Sequence, residues 1–217
     1  MPTGVTRKRD KERTREEILD TATEVFARMG YTGATLDQIA ERTGTAKRMV
    51  YYYFGGKEQL FIAVLERAYL GLQVAEEGLD VDQLDPVSAI RSITGLLYDH
   101  HDKNPYMLKL VGIENVHQAE HLVKSELLSN LRTPAIDVID RVLKKGQAQG
   151  VFVRQVDPLD VHMLISAYCV FRVANRYTFR ALFGRDLRDP DYRDHYRAMI
   201  GDLIVSYLTT GAAPGMP

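Results

Sequence analysis

Apolar positions recur every three or four residues along nearly the whole chain, with polar residues between them, which is the helical period. Ile18, Ala22, Val25, Phe26 and Met29 form the first stripe, on a helix expected over 11–29 and stopped by Gly30. Leu36, Ile39 and Ala40 form a second, and Ala46, Val50 and Phe54 a third. Leu60, Phe61, Val64, Leu65, Ala68, Leu72 and Ala75 form a long fourth over 57–78, long enough to tie the head of the chain to its larger remainder. Further helices are predicted at 86–102, 105–116, 119–149, 158–183 and 190–210. Four of these begin at a proline behind an acid or amide: Asp85-Pro86, Asn104-Pro105, Asp157-Pro158 and Asp189-Pro190. The side chain before the proline caps the first amides, and proline at the first helical position gives up no needed hydrogen bond. Pro134 breaks or kinks the 119–149 run. Only the short Val151–Val153 stretch reads as β-type. The expected class is all-α, with a three-helix head over 1–55 and a larger helical-bundle domain over 56–217.

The densest local signals lie in 35–57. Thr35 caps a helix, and Gln38 completes a capping box three residues on. Gly44 ends that helix, because glycine accepts the left-handed geometry of a helix stop. A second short helix runs over about 46–53. With Ala46, Val50 and Phe54 facing inward, Lys47, Arg48, Tyr51 and Tyr52 face outward. Two cations and two phenols on one exposed helical face suit the major groove of DNA, where Arg or Lys bonds guanine edges and Tyr reaches phosphate. A helical hairpin with a solvated basic tip has the same pattern.

The residues Thr35, Ile39-Ala40, Thr43-Gly44, Tyr51-Tyr52-Tyr53-Phe54, Lys57 and Leu60 resemble the helix-turn-helix of the tetracycline-repressor (TetR) family of transcription regulators. The detailed likeness covers about 12–65, and beyond that it extends to length and helical character. Two positions depart from the pattern. Ala46 stands where the family usually has a serine cap, so Thr45 is expected to cap one residue earlier, and Gly56 replaces a Ser or Asn before the lysine. The DNA-contacting set implied is Thr35, Thr45, Lys47, Arg48, Tyr51, Tyr52, Tyr53 and Lys57. The resemblance also implies a homodimer on double-stranded operator DNA, released by a small-molecule effector that the sequence does not identify. A DNA-binding dimer without an effector and a ligand-binding enzyme are the alternatives.

Composition changes this picture little. The chain has 217 residues, 45% of them hydrophobic, and a net charge of −1. That balance excludes a uniformly basic coat. The local excess lies at the start, where Arg7, Lys8, Arg9, Lys11, Arg13 and Arg15 face only Asp10 and Glu12. Such an arm suits phosphate contact beside a helix-turn-helix. One cysteine, Cys169, leaves no disulfide scaffold. Neither a signal peptide nor a membrane-spanning run is read, so a cytoplasmic protein is expected. Motifs of hydrolases and nucleotide-binding enzymes are missing, so no catalytic residue and no cofactor is assigned. His117 and His121, four apart, and His100-His101-Asp102 have the residue types of metal ligands, but surface and cap histidines explain them as easily, and no metal site is assigned.

In the larger domain, Tyr192, Tyr196, Met199, Leu203 and Tyr207 make a stripe on the last helix, widened by Ile200 and Ile204, and are the expected dimer seam. A ligand pocket is expected from Tyr98, His101, Met107, Leu110, Val111, Asn115, Leu127, Tyr168, Phe171, Arg172 and Asn175, a mainly apolar set with a few orienting polar groups. If Arg172 or Arg176 turns inward, an anionic effector is expected, because a buried cation needs a partner; the alternative is a solvated or interface stripe paired with Asp186, Asp189 or Asp194.

Overall fold

The computed structural model describes residues 4–131 and 134–211, with side chains from residue 10 onward. The helices are α1 (Gly4–Gly33), α2 (Leu36–Thr43), α3 (Lys47–Phe54), α4 (Lys57–Glu77), α5 (Pro86–Lys103), α6 (Pro105–Val116), α7 (Glu126–Ser129), α8 (Pro134–Ala148), α9 (Pro158–Ala174), α10 (Arg176–Phe183) and α11 (Arg193–Thr209). Single 3-10 turns occupy Leu122–Lys124 and Pro190–Tyr192. No strand occurs among the described residues, and Val151–Val153 is irregular backbone.

Most starts follow the capping chemistry. The Asp85 carboxylate accepts from the Val87 and Ser88 amides, Asp157 from Leu159, and Asp189 from Asp191, each ahead of a proline. Other boundaries differ from the sequence reading. α1 begins at Gly4 rather than 11, because the Arg-, Lys- and Glu-rich run before Ile18 contains good helix formers and no breaker. Gly30 (φ 74, ψ 172) interrupts the helical geometry where a stop was expected. The basic side chains of Arg7, Lys8 and Arg9 lie outside the described residues. The 119–149 run is not one helix. Gln118 and Ala119 adopt left-handed φ (54° and 63°), two short turns come next, and Pro134 opens α8 rather than kinking a continuous helix. The 158–183 run divides at Asn175, which ends α9 with ψ near 7°.

Two compact units result, Met1–Leu70 with Tyr106–Leu131, and Gly71–Pro105 with Arg132–Pro217. The chain therefore parts inside α4 rather than ahead of it, and returns to the first unit for α6 and α7.

The first unit is built on Ile18, Ala22, Val25 and Phe26 of α1, Leu36 and Ile39 of α2, Val50 and Phe54 of α3, and Leu60, Phe61, Val64 and Leu65 of α4. Leu110 and Leu128 join the same core from α6 and α7. Phe26 and Phe61 meet edge to face at 4.9 Å. Each such buried side chain is worth about 1.5–3 kcal/mol of transfer from water. Arg67 ties α4 to α1 through Asp20 at 2.6 Å, the Thr23 hydroxyl and the Leu19 carbonyl. Glu114, buried on α6, accepts from the His121 and Leu122 amides at 2.8 Å each and lies 3.0 Å from His121 Nδ1. The His121 ring packs on Tyr31 at 4.3 Å. This satisfied carboxylate closes the loop that carries the two left-handed residues.

In the second unit α5 is central, with α8, α9 and α11 around it. Ile90, Ile93 and Leu97 of α5 meet Ile139 and Val142 of α8, Val161 and Ile165 of α9, and Tyr196, Ile200 and Ile204 of α11. Glycine allows one close approach here: a Cβ at Gly146 would overlap the Phe152 ring.

Candidate DNA-recognition and effector sites

The turn between α2 and α3 is set by backbone chemistry. Thr35 Oγ1 accepts the Gln38 amide at 3.3 Å, and Gln38 Oε1 accepts the Thr35 amide at 3.0 Å, so the capping box is present. Gly44 takes φ 63°, and the Thr45 amide returns to the Ala40 carbonyl at 3.0 Å. That closes α2 and points the chain into α3. Thr45 does not cap α3. Its hydroxyl pairs with Thr43 Oγ1 at 2.7 Å, and Ala46 is the cap residue with no side-chain bond. The Thr43 hydroxyl already donates back into α2, so Thr45 is drawn there instead.

α3 buries Val50 and Phe54 and presents Lys47, Arg48, Tyr51 and Tyr52 to solvent. Tyr51 and Tyr52 are 50% and 65% exposed, which large aromatics in a monomer rarely are without a partner surface. Arg48 enters no ion pair among the described residues. Lys47 does: its Nζ lies 2.9 Å from Asp37 Oδ2, and that hydrogen bond with its charge attraction raises the lysine pKa. The pair is solvent-exposed and weak, so phosphate can replace the aspartate. Of the rest of the implied set, Thr45, Tyr53 and Lys57 are half-buried and Thr35 is exposed. Tyr53 is half-buried, its ring 5.1 Å from Tyr52. Lys57 Nζ donates to the Thr32 carbonyl at 3.3 Å over the Tyr31 ring, and burial lowers its pKa. Thr35 spends its oxygen as an acceptor in the cap, and its O–H stays available to donate. Two residues of the basic arm, left out of the contact set implied by the motif, reach this face: Lys11, whose ammonium lies 5.9 Å from the Tyr52 ring centre, and Arg15, over Phe54 at 5.0 Å. Both line the α1 flank of the same face, and their inclusion in the basic run was the available signal.

The residues expected to form one ligand pocket do not share one unit. Met107, Leu110, Val111, Asn115 and Leu127 belong to the first, and Tyr98, His101, Tyr168, Phe171, Arg172 and Asn175 to the second. Leu110 is core, Asn115 is exposed and bonds the Val111 carbonyl, and Leu127 and Phe171 are 41% and 51% exposed. Tyr98 and Tyr168 donate to the Arg193 and Tyr196 carbonyls at 3.1 Å each. Burial pushes the Tyr98 phenol up to about 12.

Arg172 does turn inward, but it is matched. It donates to Asp102 Oδ1 at 2.6 Å and to the Leu187 carbonyl at 2.9 Å, and lies over the Tyr98 ring at 4.0 Å. Asp102 was not among the partners expected for it. Arg176 pairs with Asp186 at 2.5 Å, as one of the expected partners. Each guanidinium has a carboxylate partner, and the buried Nε of each has no hydrogen-bond partner among the described residues. Among the described residues, no group of three or more His, Cys, Asp or Glu is placed to hold a metal ion.

The expected seam also divides. Tyr196 is buried with Ile200 and Ile204 in the core of the second unit, a correction to its place at a dimer surface. Tyr192, Leu203 and Tyr207 are exposed at 39–53%, and Met199 is half-buried. Leu159, Met163 and Phe171 of α9 and Tyr177, Leu182 and Phe183 of α10 are exposed too. A surface groove of about 330 Å³ runs along α11 between His195, Met199, Asp202, Leu203 and Ser206. No helix among the described residues is long and apolar enough to cross a membrane.

Known proteins agree with this geometry. Residues 18–64 match the family described as bacterial regulatory proteins, tetR family, and residues 86–204 match the Tetracyclin repressor-like, C-terminal domain. The HTH-type transcriptional repressor NicS of Pseudomonas putida is 35% identical over 95% of this chain and 97% of its own length. The HTH-type transcriptional repressor SCO4008 of Streptomyces coelicolor is 30% identical over 81% of this chain and 86% of its own. Among solved structures, a bacterial regulatory protein in the tetR family from Rhodococcus RHA1 superposes with a TM-score of 0.71 at 19% identity, covering 92% of this chain and 98% of that one. That last likeness concerns the fold alone; the sequence matches show that this chain belongs to the tetR family of DNA-binding transcriptional regulators and is not an enzyme.

Proposed function

We propose that the chain is a homodimeric repressor that holds a palindromic operator through two copies of α3 and releases it when a small molecule occupies the second unit. The observation that carries this is the outward face of α3, where Arg48, Tyr51 and Tyr52 are exposed beside Lys47 on a helix too short to specify a site alone. Two such helices about 34–36 Å apart, one DNA turn, supply the missing contacts. The exposed apolar residues of α9, α10 and α11 support pairing through that side of the second unit. Arg48 and Lys47 contact bases, Tyr51 and Tyr52 reach phosphate or base edges, and Thr35, Thr45, Tyr53 and Lys57 border the backbone. For release, the effector must bind the non-operator conformer more tightly than the operator-bound one.

The test is fluorescence anisotropy on a labelled operator. Arg48→Ala is expected to cost about 1–3 kcal/mol per recognition helix if it reads a base, and to relax specificity at the matching position of each half-site. A folded Lys47→Ala/Arg48→Ala protein that binds as tightly as wild type removes α3 as the reader.

A further inference from the structure

In the second unit a buried carboxylate and two half-buried imidazoles each carry a buried polar atom with no hydrogen-bond partner among the described residues. Glu76, near the end of α4, is 1% exposed. Its Oε2 accepts weakly from the Ala135 amide at 3.4 Å, at the start of α8, and its Oε1 has no hydrogen-bond partner among the described residues. His162 on α9 brings Nε2 to 3.9 Å from that oxygen, too far for a hydrogen bond, and this nitrogen is also buried without a partner. His100 on α5 adds a third orphan, Nε2. Buried polar groups are nearly always paired, and an unpaired one is costly, so this carboxylate and these imidazoles call for an explanation.

His101, buried beside His100, holds Nδ1 at 2.7 Å from the Leu97 carbonyl. A carbonyl only accepts, so Nδ1 carries the proton, and Nε2 of the neutral ring is an acceptor. Burial lowers the pKa of both His100 and His101, and the Glu76 charge opposes this without overcoming it. Glu76 supplies the acceptor of this group, and the His100 and His162 Nε2 atoms can each donate or accept beside it according to tautomer. Arg172 and Arg176 are ion-paired, with Asp102 and Asp186, and each keeps a buried Nε without a hydrogen-bond partner among the described residues. Metal-binding geometry is not present among the described residues.

We infer that Glu76, His100 and His162 form the recognition end of an effector site inside the second unit, which selects an uncharged or cationic ligand bearing N–H or O–H donors and rejects carboxylates. This rests on the reading of the chain as an effector-released repressor and gives that effector a chemical class. Glu76 Oε1 takes the ligand's donor, and the two imidazole nitrogens bond its flanking polar atoms.

The test uses the full-length protein without DNA and three probes that share one ring: benzamidine, benzamide and benzoate. Calorimetric titration and thermal shift at pH 7 are expected to show benzamidine and benzamide binding and benzoate at least tenfold weaker. Glu76→Gln should weaken benzamidine at least tenfold, and His162→Ala should weaken both binding probes if the Gln variant does not fold. Ligand-free Glu76→Gln should melt no lower than wild type, since Oε1 has no partner among the described residues and glutamine keeps an oxygen for the Ala135 amide. Equal binding of benzoate, no binding of any probe (the orphan atoms then being satisfied by water), or a Glu76→Gln protein that melts several degrees lower (a structural pair with His162) each overturns the inference. Because the readout is binding to free protein, its failure leaves operator binding intact. Failure of operator release, in turn, leaves probe binding measurable.

Discussion

Replacing Arg172 by leucine tests whether the inward guanidinium holds the second unit together or waits for an anion. The side chain is 3% exposed and makes three contacts, with Asp102, the Leu187 carbonyl and the face of Tyr98. Removing one partner of a buried ion pair costs about 3–5 kcal/mol, because the other charge stays behind. Here Asp102 keeps Arg188, whose Nε lies 3.1 Å away, and its side chain retains 20% exposure. Leucine also fills part of the space. The low end is therefore expected, about 3 kcal/mol, or about 6–12 °C in melting temperature for a protein of this size. Urea unfolding followed by circular dichroism at pH 7 measures it. A pH series adds a second constraint. Burial disfavours ionised Asp102, but the hydrogen bonds and charge of Arg172 and Arg188 outweigh that and hold its pKa below the usual value. A depressed carboxyl pKa gives stability that is present above the unfolded value, about 4, and is lost as pH falls through the folded one. The gap between wild type and Arg172→Leu should therefore narrow as pH falls below about 4. A loss under 1 kcal/mol at pH 7, or a gap unchanged down to pH 3, refutes the account.

Leu203→Glu/Tyr207→Glu should yield folded monomers by light scattering, whereas Tyr196→Glu, a charge in the core, should abolish cooperative unfolding; a folded Tyr196→Glu monomer reverses the assignment of the two stripes. Thr35→Ala removes half of the capping box and should cost about 1 kcal/mol of stability in the first unit, read by chemical denaturation, while Thr35→Ser should cost much less.

Where local chemistry decides, the sequence was readable. The Thr35–Gln38 box, the left-handed Gly44 and the proline starts depend on residues within four positions of each other. Of the three positions read as inward on α3, Val50 and Phe54 are buried and carry its phase, whereas Ala46 is exposed at the cap. Legibility failed where two answers share one period. On α11 the stripes through Tyr196, Ile200 and Ile204 and through Met199, Leu203 and Tyr207 are both apolar and sit side by side. Only the position of α5 shows that the first is core. Helix propensity could not announce the break at Gln118 and Ala119, which is held by Glu114 from another element. The Glu76 group unites residues 76, 100 and 162, and no local window contains it. The Arg172–Asp102 pair spans 70 positions for the same reason.

The return of α6 and α7 to the first unit limits how such regulators can be recombined. Leu110 and Leu128 are part of the core that supports α1 to α4, and Glu114 and His121 close over Tyr31. A DNA-reading head cut at residue 70 leaves a hole where those leucines sat and bares the face of Phe61 and Tyr31, and one cut at 55 also loses Leu60, Phe61, Val64 and Leu65 from the core. Exchanging operator specificity between relatives is therefore not a matter of grafting one contiguous N-terminal stretch. The recipient's 106–131 must fit the incoming 1–70, or travel with it, so a segment that touches no base constrains which heads can be worn.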